Sequence, residues 1–416
     1  MSSEGGMTKP PAPMAVLLSP RRSVVEAASA VGARSLVLAP DLSSPDVREA
    51  VELADEAMTV EWSDHSRLMM SIGHLANLPA RISVFGFAEA SALAAARANE
   101  VLRFPGNPHA AVAYLTDKAA LRGKVNQLTG APVRFEQCDR AAHLEAAAAR
   151  VGFPCVAKPR TGFGGQGVHL LRDAADAALL AAGLAAEPAL IVEEFLEGPE
   201  FSVEAHSRAG THTILAVSRK YTSGIPEGTE TGYDLPAELD EETTQQIHQL
   251  VVATLNTAGH RSGPSQTEVI LTKAGPRLIE SHAHPGEDWI SDLLLLAEGP
   301  DLAALAIATA LDLPQPASQP PRRYAGIRQL RLPPGVLAAV EGVSEALALP
   351  GVTGVEISVP LGGHVPETTS RVAGHGCVTA VSDGPQALEA VLRKAQDTLR
   401  PIVVPVSASE EEHSAA

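Results

Sequence analysis

Hydrophobic and polar positions along this chain follow two periods that trade places. Between Met14 and Phe85, short apolar runs alternate with segments whose apolar residues recur at helical spacing. The runs Met14–Leu18, Ser35–Leu38, Met58–Val60 and Ile82–Phe85 predict strands. The segments Val24–Val31, Pro45–Ala54 and Ser66–Ala76 predict helices,. Strands and helices in that order imply a small doubly wound parallel sheet. No Gly-x-Gly-x-x-Gly follows the first strand, so the dinucleotide fingerprint is absent,. Phe87–Arg103 predicts a helix that stops at Phe104-Pro105-Gly106-Asn107-Pro108, the first domain boundary,.

Further on, His109–Leu128 predicts one helix, closed by Gly130-Ala131-Pro132-Val133. Helices follow at Ala141–Arg150 and Asp173–Ala182, with a strand at Ala189–Glu193. Phe201–His206, Thr213–Lys220, Glu268–Thr272 and Arg277–His282 then read as antiparallel strands with Gly-containing turns,. Glu241–Ala258 predicts a helix with Ile247, Leu250, Val251 and Leu255 on one face,. Trp289–Ala297 and Leu302–Leu311 predict two more. A Pro-rich linker at 314–325 leads to an α+β unit at 326–403, with strands near Ile327–Leu332, Val355–Val359 and Val378–Ser382 and a helix at Pro385–Leu399,. Residues 1–13 and the acidic 404–416 read as disordered ends. No internal repeat is visible. The expected division is therefore 14–108, 109–313 and 326–403, an α/β (α+β) chain of three units.

Composition narrows the function. The 416 residues are 45% hydrophobic and 19% charged, which suits a globular core,. A formal charge of −17 argues against a nucleic-acid partner, which would need a basic face,. No apolar run of about 18 residues predicts a membrane span. The N-terminus has no signal-peptide pattern, and Cys138, Cys155 and Cys377 are too few and too far apart for a disulfide or zinc framework,. A cytoplasmic location is expected.

The chemistry concentrates at Phe153–Val168. A short apolar run ends in Lys158 and Pro159; Gly162, Gly164, Gly165 and Gly167 follow. Glycines let backbone N–H groups turn towards an anion, and a lysine just before them adds a point charge that suits phosphate. A glycine-rich hairpin is the plain alternative for this loop alone.

With its neighbours, this loop resembles the ATP-grasp ligases, and within them the L-amino acid ligase branch that joins two amino acids. The resemblance runs over roughly Phe87–Ala310 and rests on several motifs in the family's order. It implies an ATP-grasp fold, with the first half of the grasp at 109–195 and the second at 196–313. Lys118, in Asp117-Lys118-Ala119-Ala120-Leu121-Arg122, matches the first ATP-binding lysine, and Lys158 the second; Thr161–Gly167 matches the phosphate flap. Glu193-Glu194-Phe195-Leu196 is similar to the adenine hinge, with the Glu193 carbonyl or side chain accepting from the adenine amino group and Leu196 donating its N–H. Glu200 matches the ribose-binding glutamate. Glu268 and Glu280 match the metal pair, for Mg²⁺ or Mn²⁺, since a hard dication takes oxygen ligands. Lys220 stands where a γ-phosphate contact is expected. Glu230, in Glu230-Thr231-Gly232-Tyr233-Asp234-Leu235-Pro236, resembles a substrate-side element that receives an amine.

Three departures fall on the acceptor side. The family continues from the second metal glutamate as Glu-x-Asn-x-Arg; this chain has Glu280-Ser281-His282-Ala283-His284. His282 takes the place of the asparagine that completes the metal shell. His284 takes that of the arginine that steadies the reaction intermediate, and needs a carboxylate such as Glu287 to stay charged above its ordinary pKa of about 6.5. Tyr233 stands where the branch has histidine. The resemblance implies ATP- and Mg²⁺-dependent joining of a small-molecule carboxylate to an amine through an acyl phosphate. A specialised enzyme of secondary metabolism with a different acceptor, or a non-catalytic ATP-binding homologue, are the alternatives. A homodimer is common among similar enzymes.

Overall fold

The structure is a computed structural model that describes residues 12–128, 132–162, 166–223, 230–286, 289–316, 318–366 and 374–405. Apart from 12–13 and 404–405, the ends expected to be disordered lie outside these residues. Val404 is the last residue of the strand Arg400–Val404.

The N-terminal run alternates as its pattern predicts. Glu56–Thr59, Arg34–Ala39, Met14–Leu18 and Ile82–Phe85 form a parallel sheet in that order. Parallel strands buried on both faces need continuous apolar sequence, and Met14–Leu18 is buried at all five positions,. Helix Leu302–Leu311 returns from far along the chain to cover one face, packing Ile307, Ala310 and Leu311 against Leu17, Val37 and Phe85.

Two antiparallel sheets face the central cleft. The smaller runs Phe135–Cys138, Leu190–Glu194, Cys155–Pro159, His169–Leu171. Its first strand is absent from the sequence expectation, because Phe135-Glu136-Gln137-Cys138 is only four residues long and has Glu136 and Gln137 at its centre. The larger sheet has eight strands: Gly275–His282, Gly263–Thr272, Glu200–Arg208, Thr211–Thr222, Glu230–Leu235, Tyr324–Gln329, Gly376–Ser382 and Val352–Ile357. Helix Glu241–Ala258 covers it, burying Ile247, Leu250, Val251 and Leu255 against Phe201, Val203, Val269 and Leu278. Asp240 caps this helix through Thr243 N–H, and Gly259 ends it at φ +74°,.

Two expectations change. Glu230–Leu235, given no element by its sequence pattern, is a strand paired on both sides, with Tyr233 and Leu235 in the core. It carries the period-two pattern of a strand behind a polar surface. The sheet then continues across the Pro-rich linker, since Glu230–Leu235 pairs with Tyr324–Gln329. A three-stranded sheet, His364–Val365, Gly335–Glu341 and Arg400–Val404, completes the C-terminal part.

The second change aims a catalytic candidate. His109–Leu128 is two helices, His109–Thr116 and Lys118–Leu128, broken at Asp117, which adopts ψ +95°. Asp117 Oδ1 accepts from the N–H groups of Ala119 and Ala120, and Oδ2 takes Arg160 Nη2 at 2.6 Å. An aspartate that caps the next turn stops the previous one. The new helix therefore starts on Lys118.

Candidate active site

A cleft of about 910 Å³ opens between the two antiparallel sheets. Lys118, Lys158, Gly162, Glu193, Glu194, Leu196, Glu200, Lys220, Glu230, Glu268, Glu280, His282 and His284 all line it. Residues more than 160 positions apart in sequence thus meet at one place. Gly164 and Gly165 lie outside the described residues, as does Glu287.

Each lysine points inward from a defined backbone position. Lys158 sits on the strand Cys155–Pro159 and bonds Glu193 Oε2 at 2.7 Å on the neighbouring strand. Lys118, only 8% exposed, bonds Glu280 Oε2 at 2.9 Å and the Gly162 carbonyl at 2.6 Å. Gly162 holds φ +125°, a conformation that side chains other than hydrogen resist, so its carbonyl can turn to the lysine,. Gly167 is likewise left-handed, at φ +67°. Lys220 bonds Glu268 Oε1 at 2.9 Å and Glu230 Oε1 at 2.7 Å. Burial would lower its pKa, but Glu268, Tyr233, Glu230 and Glu200 lift it well above the ordinary value.

Glu268 and Glu280 are direct cross-strand partners on the strands Gly263–Thr272 and Gly275–His282. Opposed residues on one face stand within about 4.5–5.5 Å at Cβ, and like charges there repel. Burial raises the Glu268 carboxyl above the ordinary range; Lys220 opposes this, while Glu280, Glu230 and Glu200 add to it. Burial also acts to raise Glu280, yet His282, Lys118 and Lys158 bring it well below the ordinary range. A carboxylate pair of this kind, facing a cleft, is a place that a dication stabilises.

The hinge differs from expectation in one respect. The Glu193 side chain is not available to adenine: it is clamped between Lys158 and Arg122, whose Nε lies 2.5 Å from Oε1. Burial alone would raise this carboxyl, but the two cations hold it at about 2. The Glu194 carboxylate is also engaged, with Arg134 N and Nε at 2.8 and 2.9 Å. The hinge is left with backbone groups for recognition. Arg122 stands four residues after Lys118, on the same helical face, and that spacing was a usable signal for it.

Glu89 is the residue that sequence reasoning missed. It opens helix Glu89–Leu102 and is 193 positions from His282, with no motif around it. Its Oε2 takes His282 Nδ1 at 2.7 Å and His284 Nε2 at 3.1 Å. His282 Nε2 lies 3.4 Å from Glu280 Oε1, so this imidazole stands between two carboxylates. Burial would lower its pKa; Glu280 and Glu89 together raise it to about 10. Ala283, between the two histidines, packs against Ala92 and Ala96 of the Glu89 helix.

The family profile of an ATP-grasp domain matches residues 151–292, and that of L-amino acid ligase C-terminal domain 2 matches residues 328–404. An uncharacterized protein, y4rH, of Sinorhizobium fredii is 26% identical over 398 residues, covering 93% of this chain and 81% of that protein. Carnosine synthase 1 of Gallus gallus is 31% identical over 221 residues, or 47% of this chain; those residues span only 24% of the synthase. The crystal structure of an L-amino acid ligase from Bacillus licheniformis superposes with a TM-score of 0.79 at 22% identity, covering 95% of this chain and all of that one. This last likeness is one of fold.

Proposed function

We propose, from the premise that this chain is an ATP-grasp ligase of the carbon–nitrogen bond-forming kind resembling the L-amino acid ligases, that it joins the carboxylate of one amino acid or related intermediate to the amine of another. The observation that carries this reading is the pair Glu268 and Glu280, opposed across neighbouring strands, the first buried and the second part-buried, and ringed by Lys118, Lys158 and Lys220. Three lysines and a glycine flap suit a triphosphate. The carboxylate pair suits Mg²⁺ or Mn²⁺, which would neutralise charge on the β- and γ-phosphate oxygens.

In this reading Lys118, Lys158 and the flap with Gly162 and Gly167 hold the phosphates. The backbone of Glu193–Leu196 holds adenine, and Glu200 the ribose. Lys220 faces the γ-phosphate, and Glu230 beside it receives the amine. The substrate carboxylate attacks the γ-phosphate; ADP leaves, and an acyl phosphate forms. The amine then displaces phosphate and the amide results. The residues contribute placement and fixed charge, which is where phosphoryl transfer gains most. His282 steadies Glu280 from outside through Nε2, and His284 lines the cleft beside it.

The test is ADP release from ATP and Mg²⁺ across pairs of amino acids, with products read by mass spectrometry. A condensed product from one or more pairs supports the ligase. Protection by ATP against melting, with no ADP released from any carboxylate–amine pair, supports the non-catalytic alternative. Turnover only with amines other than amino acids supports the specialised acceptor that His282, His284 and Tyr233 suggest.

A further inference from the structure

We propose that Glu89, His282 and His284 form a second cation site, distinct from the Glu268–Glu280 pair, that binds a first-row transition-metal dication such as Zn²⁺. Each residue offers one ligand atom, and the three atoms lie within 4.8 Å of one another. Two imidazole nitrogens converge on a single carboxylate oxygen, at 2.7 and 3.1 Å, with the rings tilted by 38° and their centroids 5.1 Å apart. Two imidazoles and one carboxylate are a common donor set for zinc and for iron, cobalt or manganese.

The far side of each ring strengthens the assignment. His284 Nδ1 lies 2.8 Å from the Pro285 carbonyl, and His282 Nε2 lies 3.4 Å from Glu280 Oε1. A backbone carbonyl and a carboxylate are the outer partners that fix the tautomer of metal-bound histidine. Both can only accept, so the distal nitrogens carry the protons. The near nitrogens face Glu89, also an acceptor. Each donates a proton to it or, with a cation between them, a lone pair to that cation.

An independent observation comes from the other oxygen of Glu89. Among the described residues, Oε1 is buried and has no hydrogen-bond partner. An unsatisfied buried carboxylate oxygen is costly. A cation held by Glu89 would engage it directly or through a bound water. Mg²⁺ is the poorer occupant, because two of the three donors are nitrogen.

The location gives such a cation two consequences. Glu89 belongs to the helix beside the N-terminal sheet, while both histidines belong to the end of the large sheet, so one ion would fasten the two together. It would also place positive charge beside the cleft where the resembling ligases have an arginine and this chain has His284.

The experiment uses the full chain, stripped with a chelator and free of nucleotide, so that it is independent of ligase turnover. Zn²⁺ alone is titrated by calorimetry and by melting, and Co²⁺ by visible absorption. The expected result is one saturable site with dissociation in the micromolar range or tighter, a raised melting temperature, and a cobalt band shaped by nitrogen ligands. Glu89→Gln and His284→Asn should each weaken Zn²⁺ binding by about 10–100-fold, while Glu268→Gln leaves it within a few-fold. No saturable binding, or binding that survives both variants and disappears in Glu268→Gln, overturns the proposal. Should the variants fold poorly, a wild-type cobalt spectrum without nitrogen ligation overturns it by itself.

Discussion

Two buried glutamates in this molecule each sit between two basic side chains, and they are built for opposite purposes. Glu193 is held by Arg122 and Lys158. The two cations hold the carboxyl at about 2 against burial, which alone would raise it. Glu89 is held by His282 and His284, and its carboxyl too lies below the ordinary range despite burial. Imidazole can give up a proton or exchange it for a metal. The half of the cleft proposed to hold the nucleotide is therefore lined by Lys and Arg cations, whereas the half proposed for the acceptor is lined by imidazoles, whose proton can be exchanged. That division matches the sequence, where the nucleotide motifs follow the family and the departures His282, His284 and Tyr233 lie on the other side.

The harshest test of the fixed half removes its charges. Lys158→Ala and Glu280→Ala should each abolish ADP release, with a drop of at least ~10²–10³-fold, the scale seen when one preorganised contact to developing charge is lost. Each purified variant is assayed for ADP from ATP, Mg²⁺ and whichever substrate pair turns over. Retained turnover in either would falsify the phosphate and metal assignment.

Stability separates the two clamps directly. Arg122→Ala leaves Glu193 buried with one cation, and breaking a buried pair costs about 3–5 kcal/mol,. Glu89→Ala removes the shared carboxylate instead, and the histidines left behind can shed protons, so about 1–3 kcal/mol is expected at pH 8. Both are measured by urea unfolding in the presence of a chelator. If Glu89→Ala proves as costly as Arg122→Ala, the distinction between fixed and exchangeable charge fails.

Much of this site was readable before the structure, and the limit has a physical cause. Lys118, Lys158, Glu268 and Glu280 sit in local motifs, where spacing along one strand or loop already fixes the neighbours. All four line one cleft. The long helix Glu241–Ala258 was legible in full because an acidic first turn leads into an apolar face that repeats from Ile247 to Ala258. The strand Glu230–Leu235 was not, since its glutamate, glycine and aspartate hide a period of two that pays off only once both flanking strands are in place. Glu89 had no signal at all. Its role depends on a tertiary contact across 193 residues, and an acidic first helical residue is ordinary for a helix N-terminus,.

A third buried carboxyl extends the comparison to its end, for Glu204 makes no ion pair among the described residues. It accepts from Gly286 N–H at 3.1 Å and from the Ser202 hydroxyl at 3.3 Å. Burial pushes it up to about 8. Its folded form thus binds a proton that the unfolded chain has released, so stability falls as pH rises from about 4.5 to about 8,. Glu204→Gln keeps the size and loses the titration. The variant should melt close to the wild type at pH 5 and above it at pH 9. Equal melting differences at the two pH values would place an unseen cation beside Glu204.

The gentlest perturbation tests whether the fixed half is fixed by backbone as well as by charge. Asp117 touches neither glutamate clamp, yet it starts the helix that carries Lys118 and Arg122. Asp117→Ala removes a cap worth about 1 kcal/mol, and its partly exposed pair with Arg160 adds little,. Lys118 N still donates to the Arg160 carbonyl at 2.9 Å, so the helix should persist while its first turn loosens. The expected outcome is a small loss of stability with a rise of a few-fold in KM for ATP and little change in kcat. Asp117→Asn, which retains a capping oxygen, should restore most of the stability. A fall in kcat with KM unchanged would mean that Lys118 is aligned by Glu280 and the Gly162 carbonyl alone, and that charge, not the helix start, sets the nucleotide half.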